Sequence, residues 1–313
     1  MGRAGYIRNR LGLMVFVLFG VTLLVFGLIH LIPGDPALLI LGDRANDTNV
    51  AALRSQLGLD QPLYVQYWHF ISGLPRGDMG NSLLFRQPVG ALVMRRIPVT
   101  LFLAAYALVL TAIITVPIAI IAATRKDKPS DHIIRMGFLF LLTTPSFWLG
   151  ILLILLFSLR LRLFPVAGYG ENFREHLWYL FLPSLTLALH LSAVLIRNLR
   201  SRLIATMRSD YVRTARAKGL SGRVVLTRHV LRNALVSTVT LFGLQFSNLV
   251  GGAVVIETVF AIPGMGQLIY QAITARDYPV VQAITLVTAF FVILVNLIVD
   301  LSYSFLDPRV TYE

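Results

Sequence analysis

Residues 98–123 read PVTLFLAAYALVLTAIITVPIAIIAA, a run without a single Asp, Glu, Lys or Arg. A helix rises 1.5 Å per residue, so about 20 apolar residues cross the roughly 30 Å hydrocarbon core of a bilayer. This run is long enough to do so, which makes lipid rather than water its solvent. The composition of the 313-residue chain points the same way. It is 56% hydrophobic and only 14% charged, where a soluble domain carries about 25% charged residues. Working outward, five further runs qualify: Leu11–Leu31, Ile134–Ser158, Tyr179–Arg197, Ala234–Ile256 and Val280–Tyr303. The expected fold is therefore an all-α integral membrane protein with six transmembrane helices. Arg3, Arg8 and Arg10 precede the first run as they would in a signal peptide. The run is longer than an h-region of about 7–15 residues, and no small-residue cleavage site follows, so it is read as a retained helix.

The net charge of +13 would suggest nucleic acid in a soluble protein. Here the basic residues sit in short loops between apolar runs, as the positive-inside effect requires, and nucleic-acid binding is set aside. The N-terminus, the 124–135 loop, the 197–233 loop and the C-terminal tail hold 18 of the 28 Lys and Arg residues. The opposite side holds ten, offset by nine of the 15 acidic residues. Both termini are therefore expected in the cytoplasm. The chain divides into 1–97 (tail, first helix and external segment) and 98–313 (five spans with a loop at 198–233). In the external segment, Thr48 is expected to cap a short helix ending near Gly58, and Pro62 to open another. There Leu63, Tyr64, Tyr67, Trp68 and Ile71 share one face, suited either to the membrane interface or to packing on neighbouring helices. The chain has no cysteine, which excludes a disulfide framework, a thiolate nucleophile and a Cys-ligated metal.

Ionisable groups inside a bilayer are costly and usually mark ion or substrate paths. His30, Arg197 and Asp300 lie near span ends, and His190 is the one ionisable side chain near a span centre. No central Asp or Glu offers the relay of a proton-coupled carrier, so the energy source is expected on another chain. Thr143, Thr144, Ser146, Ser184, Ser192, Gln245, Ser247 and Asn248 are uncharged polar residues at depth. Such groups either line an aqueous path or hydrogen-bond across packed helices. Gln245 and Asn248, three apart on one helical face, join His190 as candidate pore-lining residues. Pro117, Pro145 and Pro183 interrupt three spans, and each removes a backbone hydrogen bond.

The loop between the fourth and fifth spans is no plain connector. Ser209-Asp210-Tyr211-Val212-Arg213-Thr214-Ala215-Arg216-Ala217-Lys218-Gly219-Leu220 reads as a short helix with Ser or Asp at its start and Gly at its stop. Ser221 is placed to cap a second helix, through Arg228-His229-Val230-Leu231-Arg232-Asn233-Ala234 into span five. Small Ala215 and Ala217 would let a partner approach closely, with Tyr211 and Leu220 as apolar anchors. The surrounding basic residues by themselves fit topology control and contact with acidic lipid headgroups equally well. The stop and restart at Gly219-Leu220-Ser221 is what points to a docking elbow.

Ala215 followed four residues later by Gly219 resembles the EAA loop of ABC importer membrane subunits. Arg213-Thr214-Ala215-Arg216-Ala217-Lys218-Gly219-Leu220 with a later His229-x-x-Arg232-Asn233-Ala234 is similar to the peptide branch of that family. The likeness covers nearly the whole chain. It takes in Leu31-Ile32-Pro33-Gly34-Asp35-Pro36, Leu57 to Tyr64, Gly77-Asp78-Met79-Gly80, Glu257-Thr258-Val259-Phe260, Ile262-Pro263-Gly264-Met265-Gly266, Arg276-Asp277-Tyr278-Pro279 and Leu306-Asp307-Pro308-Arg309. The set, in this order, resembles the B-type permease of dipeptide, oligopeptide, glutathione and nickel ABC importers. That resemblance implies a type I importer permease fold in a prokaryotic inner membrane. It also implies a second, related permease subunit, two cytoplasmic ABC ATPase subunits, an external solute-binding protein and a peptide cargo. ATP and Mg would be bound by the ATPase chains, with no cofactor in this one. Tyr211, Arg213, Thr214, Ala215, Ala217, Lys218, Gly219 and Leu220 would form the loop that couples to the ATPase. Two positions depart from the pattern. Arg213 stands where other importers carry the acidic residue of the EAA motif, and Ser237 stands where a Pro often follows Asn-Ala.

The absences agree with this division of labour. No Gly-x-x-x-x-Gly-Lys-Ser/Thr phosphate loop occurs, so the chain is not expected to be an ATPase. Neither His-Glu-x-x-His nor Gly-x-Ser-x-Gly occurs, which leaves a membrane enzyme without a catalytic constellation. His69, His176 and His190 lie in different segments without ligand spacing, and no metal site is expected. The alternatives carried forward are a permease for glutathione or a nickel chelate and, in another class, an autonomous channel or ion-coupled carrier.

Overall fold

The computed structural model describes residues 3–31, 38, 41, 46–56 and 59–306. The motif stretches at 32–36, 57–58 and 307–309 lie outside the described residues, as does the helix end expected at Gly58. In chain order the main helices are α1 (Arg3–Leu31), α2 (Asp47–Gln56), α3 (Leu63–Gly73), α4 (Val89–Thr124), α5 (Pro129–Thr143), α6 (Ser146–Leu153), α7 (Phe173–Tyr179), α8 (Phe181–Met207), α9 (Asp210–Ala217), α10 (Arg232–Val259), α11 (Met265–Thr274) and α12 (Tyr278–Leu306). Among the described residues, α4, α8 and the Tyr278–Ile298 part of α12 are each long and apolar enough to cross a bilayer. α1 carries an apolar stretch at Gly12–Gly27. α10, with 28 residues, lies where the fifth span is expected.

The expected third span is not one straight helix. α5 stops at Thr143 and α6 starts at Ser146, and the two are bent by 108°. The ring of Pro145 drives the preceding residue out of the helical region, and Thr144 is extended at φ −85°, ψ 127°. Pro145 also has no N–H with which to continue the ladder. The hydroxyls of Thr143 and Thr144 turn back to the carbonyls of Leu139 and Phe140, at 3.2 and 2.7 Å. Past Leu153 the helix widens into a π-helical turn, Ile154–Arg160, where the Leu161 N–H reaches the Leu156 carbonyl. The other two prolines break nothing. Pro183 sits in the first turn of α8, where the N–H that proline lacks would have no partner within the helix, and α4 runs through Pro117 without interruption.

Packing divides the chain into two compact units: Met1–Ile97 with Leu268–Ile293, and Pro98–Gln267 with Leu294–Thr311. In the first unit, Asn46 rather than Thr48 opens α2, its Oδ1 accepting the Asn49 N–H at 2.7 Å. Thr48 lies two residues too late, inside the helix. α3 follows Pro62 as expected, and its aromatic face is divided. Tyr67 packs edge-on against Phe19 and Phe26 of α1 and shares a 2.8 Å hydrogen bond with Thr22, whereas Leu63, Tyr64 and Trp68 remain exposed.

The second unit holds two apolar cores. One joins α4, α8 and α10 through Leu103, Leu187, Leu191, Leu249, Ile256 and Phe260. The other gathers Ala119, Ala123, Ala193, Leu199, Leu203 and the buried side of the 209–234 elbow. Alanines at the close approaches let helices meet without lipid between them, and contact packing then holds them together. Beside that second core, Arg200 grips Asp131 through both carboxylate oxygens, Nε to Oδ1 at 2.7 Å and Nη2 to Oδ2 at 2.6 Å. The pair fastens the start of α5 to α8.

Candidate functional site

The elbow forms the stop and restart that its sequence calls for. α9 ends in a paired C-terminal motif: the Gly219 N–H reaches the Arg216 carbonyl at 2.9 Å, and the Leu220 N–H reaches Ala215 at 3.3 Å. That arrangement needs a left-handed residue at position 219, and Gly219 supplies φ +78°. The chain restarts at Gly222–Val224, widens into a π-helical turn at Val225–Leu231 and continues as α10. The serines do not cap as expected. Ser209 turns its hydroxyl back to the Thr206 carbonyl at 2.7 Å, and neither Ser209 nor Ser221 takes a backbone N–H with its side chain. At both starts the serine carbonyl alone serves, accepting the N–H groups of Val212 and Val225.

The elbow has two faces with different destinations. Val212 and Ala215 point inward, 0% and 6% exposed, against the core formed with Leu199, Leu203, Val225 and Val230. Ala215 is therefore small because α9 lies close to its own chain. It does not offer the partner-facing surface expected of it, since the period of apolar residues at 212 and 215 turns it to the core. The opposite face is open. Tyr211, Arg213, Thr214, Ala217, Lys218, Gly219 and Leu220 are exposed, with Tyr211 at 46% and Leu220 at 41%. Tyr211 Oη accepts a 3.2 Å hydrogen bond from Asn233 Nδ2, tying α9 to the start of α10. Thr214 Oγ1 donates to the Asp210 carbonyl at 3.0 Å, and Arg213 lies 3.9 Å from the Asp210 carboxylate in an exposed pair of little weight. The elbow thus presents apolar anchors among basic side chains on a backbone held from behind.

The clamp behind the elbow is the second element of the site. Asp131 is fully buried, and Arg200 is 16% exposed at its side chain. The hydrogen bonds from the Arg200 guanidinium hold the Asp131 carboxyl below the usual carboxylate range, against the burial that pushes it up, with help from the Asp127 N–H.

Of the candidate pore residues, His190 and Gln245 come together at one cavity of about 290 Å³, together with Ser146. Asn248 lies in α10, and its side chain falls outside what the structure describes. The cavity opens at the first residue after the Thr144–Pro145 break. Non-helical backbone at membrane depth survives only where protein buries it or a polar cavity receives it. Its apolar walls are the side chains of Leu187, Leu191, Val194 and Leu249.

Two carboxylates matter that sequence reasoning left without a role. Glu257, 0% exposed, is enclosed by the Gly264-Met265-Gly266 turn. Oε1 accepts from the Thr100 hydroxyl at 2.6 Å, and Oε2 accepts from the Gly266 and Gln267 N–H groups at 2.7 and 3.1 Å. A Cβ at position 264 would stand 2.3 Å from Oε2, and one at 266 would stand 2.4 Å from Val254 Cα, so only glycine fits at either position. Asp277 plays the matching part in the first unit. Also 0% exposed, it accepts from the Ser82 hydroxyl at 2.5 Å and the Leu84 N–H at 3.0 Å, fixing the loop after Gly77-Asp78-Met79-Gly80. The sequence signal for both was an acidic residue a few positions before a proline, Pro263 or Pro279, and a buried carboxylate there must find N–H or O–H donors.

With this geometry in place, comparison with known proteins assigns the chain. Residues 115–312 match the family described as "Binding-protein-dependent transport system inner membrane component", and residues 4–104 match its N-terminal counterpart. The chain is 40% identical to the probable D,D-dipeptide transport system permease protein DdpB of Escherichia coli, across 97% of this chain and 96% of that one. It is also 40% identical to the glutathione transport system permease protein GsiC of Escherichia coli, across 98% of this chain and 99% of that one. In fold it is similar to a chain of the MetNI methionine ABC transporter in an inward-facing conformation, with a TM-score of 0.59 at 16% identity, covering 69% of this chain and 96% of that one. Both halves of the sequence thus lead to one assignment: the chain belongs to the family of inner-membrane components of binding-protein-dependent transport systems.

Proposed function

We propose that this chain is one of two related permease subunits of an ABC importer for short peptides. The observation that carries the reading is end-to-end similarity, at 40% identity, to permeases named for a dipeptide and for glutathione. Glutathione is itself a small peptide, so peptide cargo is the common denominator. In this reading six spans cross the inner membrane with both termini in the cytoplasm, and the elbow faces the cytoplasm. Two ATPase chains bind ATP and Mg, and an external solute-binding protein delivers the cargo.

Coupling follows from the two faces of the elbow. Tyr211, Ala217, Lys218, Gly219 and Leu220 meet the ATPase, while Val212 and Ala215 pass its displacement to α8 and α10. Closure of the ATPase pair on ATP biases a two-state rearrangement of the spans and opens the path to the outside. The path runs past His190 and Gln245.

The test of cargo is uptake of labelled dialanine, glutathione and a nickel chelate by cells with and without this chain. Loss of dialanine uptake alone is the expected result. Loss confined to glutathione or to nickel would reassign the cargo, and no loss at all would overturn the importer reading. For coupling, Gly219→Pro should leave basal ATP hydrolysis in the assembled complex while removing peptide uptake. Full uptake in that variant would contradict the docking role.

A further inference from the structure

His190 Nδ1 is buried and has no hydrogen-bond partner among the described residues, yet its ring borders open space. Nδ1 itself is shielded from that space, so any hydrogen bond across it is made by the other ring nitrogen, Nε2. The space is the cavity of about 290 Å³ that Ser146 and Gln245 also line. The three side chains share one capability. A serine hydroxyl, a glutamine amide and a histidine ring N–H in the matching tautomer can each donate a hydrogen bond. Each can also accept, and an acceptor oxygen is one group that all three can serve at once. Leu187, Leu191, Val194 and Leu249 supply the rest of the wall and offer no polar contact with which to select a particular side chain.

A peptide presents such an oxygen at every residue as the main-chain carbonyl, and twice over at its terminal carboxylate. The volume lies at the low end of small-molecule sites, which run from about 300 to 1,000 Å³. It accommodates a short section of peptide rather than an oligopeptide. We infer that this cavity is a way-station for main-chain oxygens of a passing peptide, with His190, Gln245 and Ser146 as the donors. It accepts each section by its backbone and ignores its side chains. The inference rests on the peptide-permease reading and gives that reading a specific site. The break at Thr144–Pro145 has a use in this arrangement, because it brings Ser146 to the cavity where an unbroken helix would run past.

The test uses the whole complex, with its ATPases and second permease, in proteoliposomes supplied with binding protein loaded with labelled trialanine. Two quantities are read: uptake, and ATP hydrolysis stimulated by the loaded binding protein. His190→Leu should lower uptake per ATP hydrolysed about 3- to 10-fold, the range carried by one neutral hydrogen bond. Stimulated hydrolysis should stay within about twofold of wild type, because the elbow is untouched. His190→Gln, which keeps a donor, should recover most of the uptake. Gln245→Leu should repeat the His190→Leu result and stands in if that variant does not assemble. Wild-type uptake per ATP in either leucine variant overturns the station, as does a glutamine variant no better than leucine. A wild-type complex that hydrolyses ATP but imports no trialanine overturns the peptide reading instead. The C-terminal amide of trialanine then identifies the oxygen. If the ratio of wild-type to His190→Leu uptake falls to one on the amide, the carboxylate is the ligand. If the ratio is unchanged, the ligand is an internal carbonyl, and any preference of the binding protein cancels in the ratio.

Discussion

Gly219 stands at φ +78° with nothing within 4 Å of where a Cβ would lie, so its substitution costs backbone energy and no clash. Gly219→Ala should destabilise by about 1–2 kcal/mol, and Gly219→Asn by less, since Asn visits the left-handed region more readily. Thermal melting of the purified chain in detergent checks this, and an unchanged midpoint for alanine would contradict the C-terminal motif. Asp131 is the opposite case, a side chain whose whole effect is polar. Asp131→Asn leaves Arg200 mostly buried without its counter-charge and should cost about 3–5 kcal/mol. The sign of its pH dependence follows from the lowered Asp131 pKa. The folded chain holds its proton less tightly than the unfolded one, so the pair stabilises fully above the unfolded value of about 3.9 and fades as the pH falls through the folded value. The difference in melting midpoint between wild type and Asp131→Asn should therefore shrink below about pH 4. A difference that grew on acidification would reverse the assignment. Residues of this kind were only partly legible in the sequence. Gly219 announced itself because glycine after a helical run has a local cause. The partner of Asp131 lies 69 positions away, and no local pattern marks Arg200 among its basic neighbours.

At the scale of elements, the turn from Ile262 to Gly266 is rigid because a carboxylate fills it. Glu257→Gln should turn an amide N–H2 toward one of the donors Thr100, Gly266 and Gln267 and cost about 1–3 kcal/mol. Gly266→Ala should cost more than Gly219→Ala, because its Cβ would meet Val254 backbone at 2.4 Å and no side chain can move aside. The order of melting midpoints, with Gly219→Ala above Gly266→Ala, is the check. The elbow and the long apolar helices were legible because helix stops and apolar length are local properties. The break between α5 and α6 was half legible. Pro145 marks the place, but a proline at depth either kinks a helix or ends it, and the 108° outcome depends on what receives the freed backbone. The reading of Ala215 as partner-facing failed for a related reason. Small size allows close approach to any neighbour, and only the fold shows that the neighbour is the chain's own core.

At the scale of the whole molecule, composition alone excluded a soluble domain, and the order of motifs led to the family to which both matched segments belong. The pore is the part that sequence reasoning reached least. Which polar residues share a cavity depends on tertiary placement: the sequence singled out His190, Gln245 and Asn248, and only the fold brings Ser146 to the first two. The central claim is that this chain works as one subunit of an importer whose energy comes from other chains. The most direct measurement is co-purification of the tagged chain, extracted from the membranes of its native cells, with identification of what accompanies it. Recovery of a second permease of the same family together with ABC ATPase chains is the predicted result. A chain that emerges alone, and stays alone after crosslinking in the membrane, would contradict the account and favour an autonomous channel or carrier.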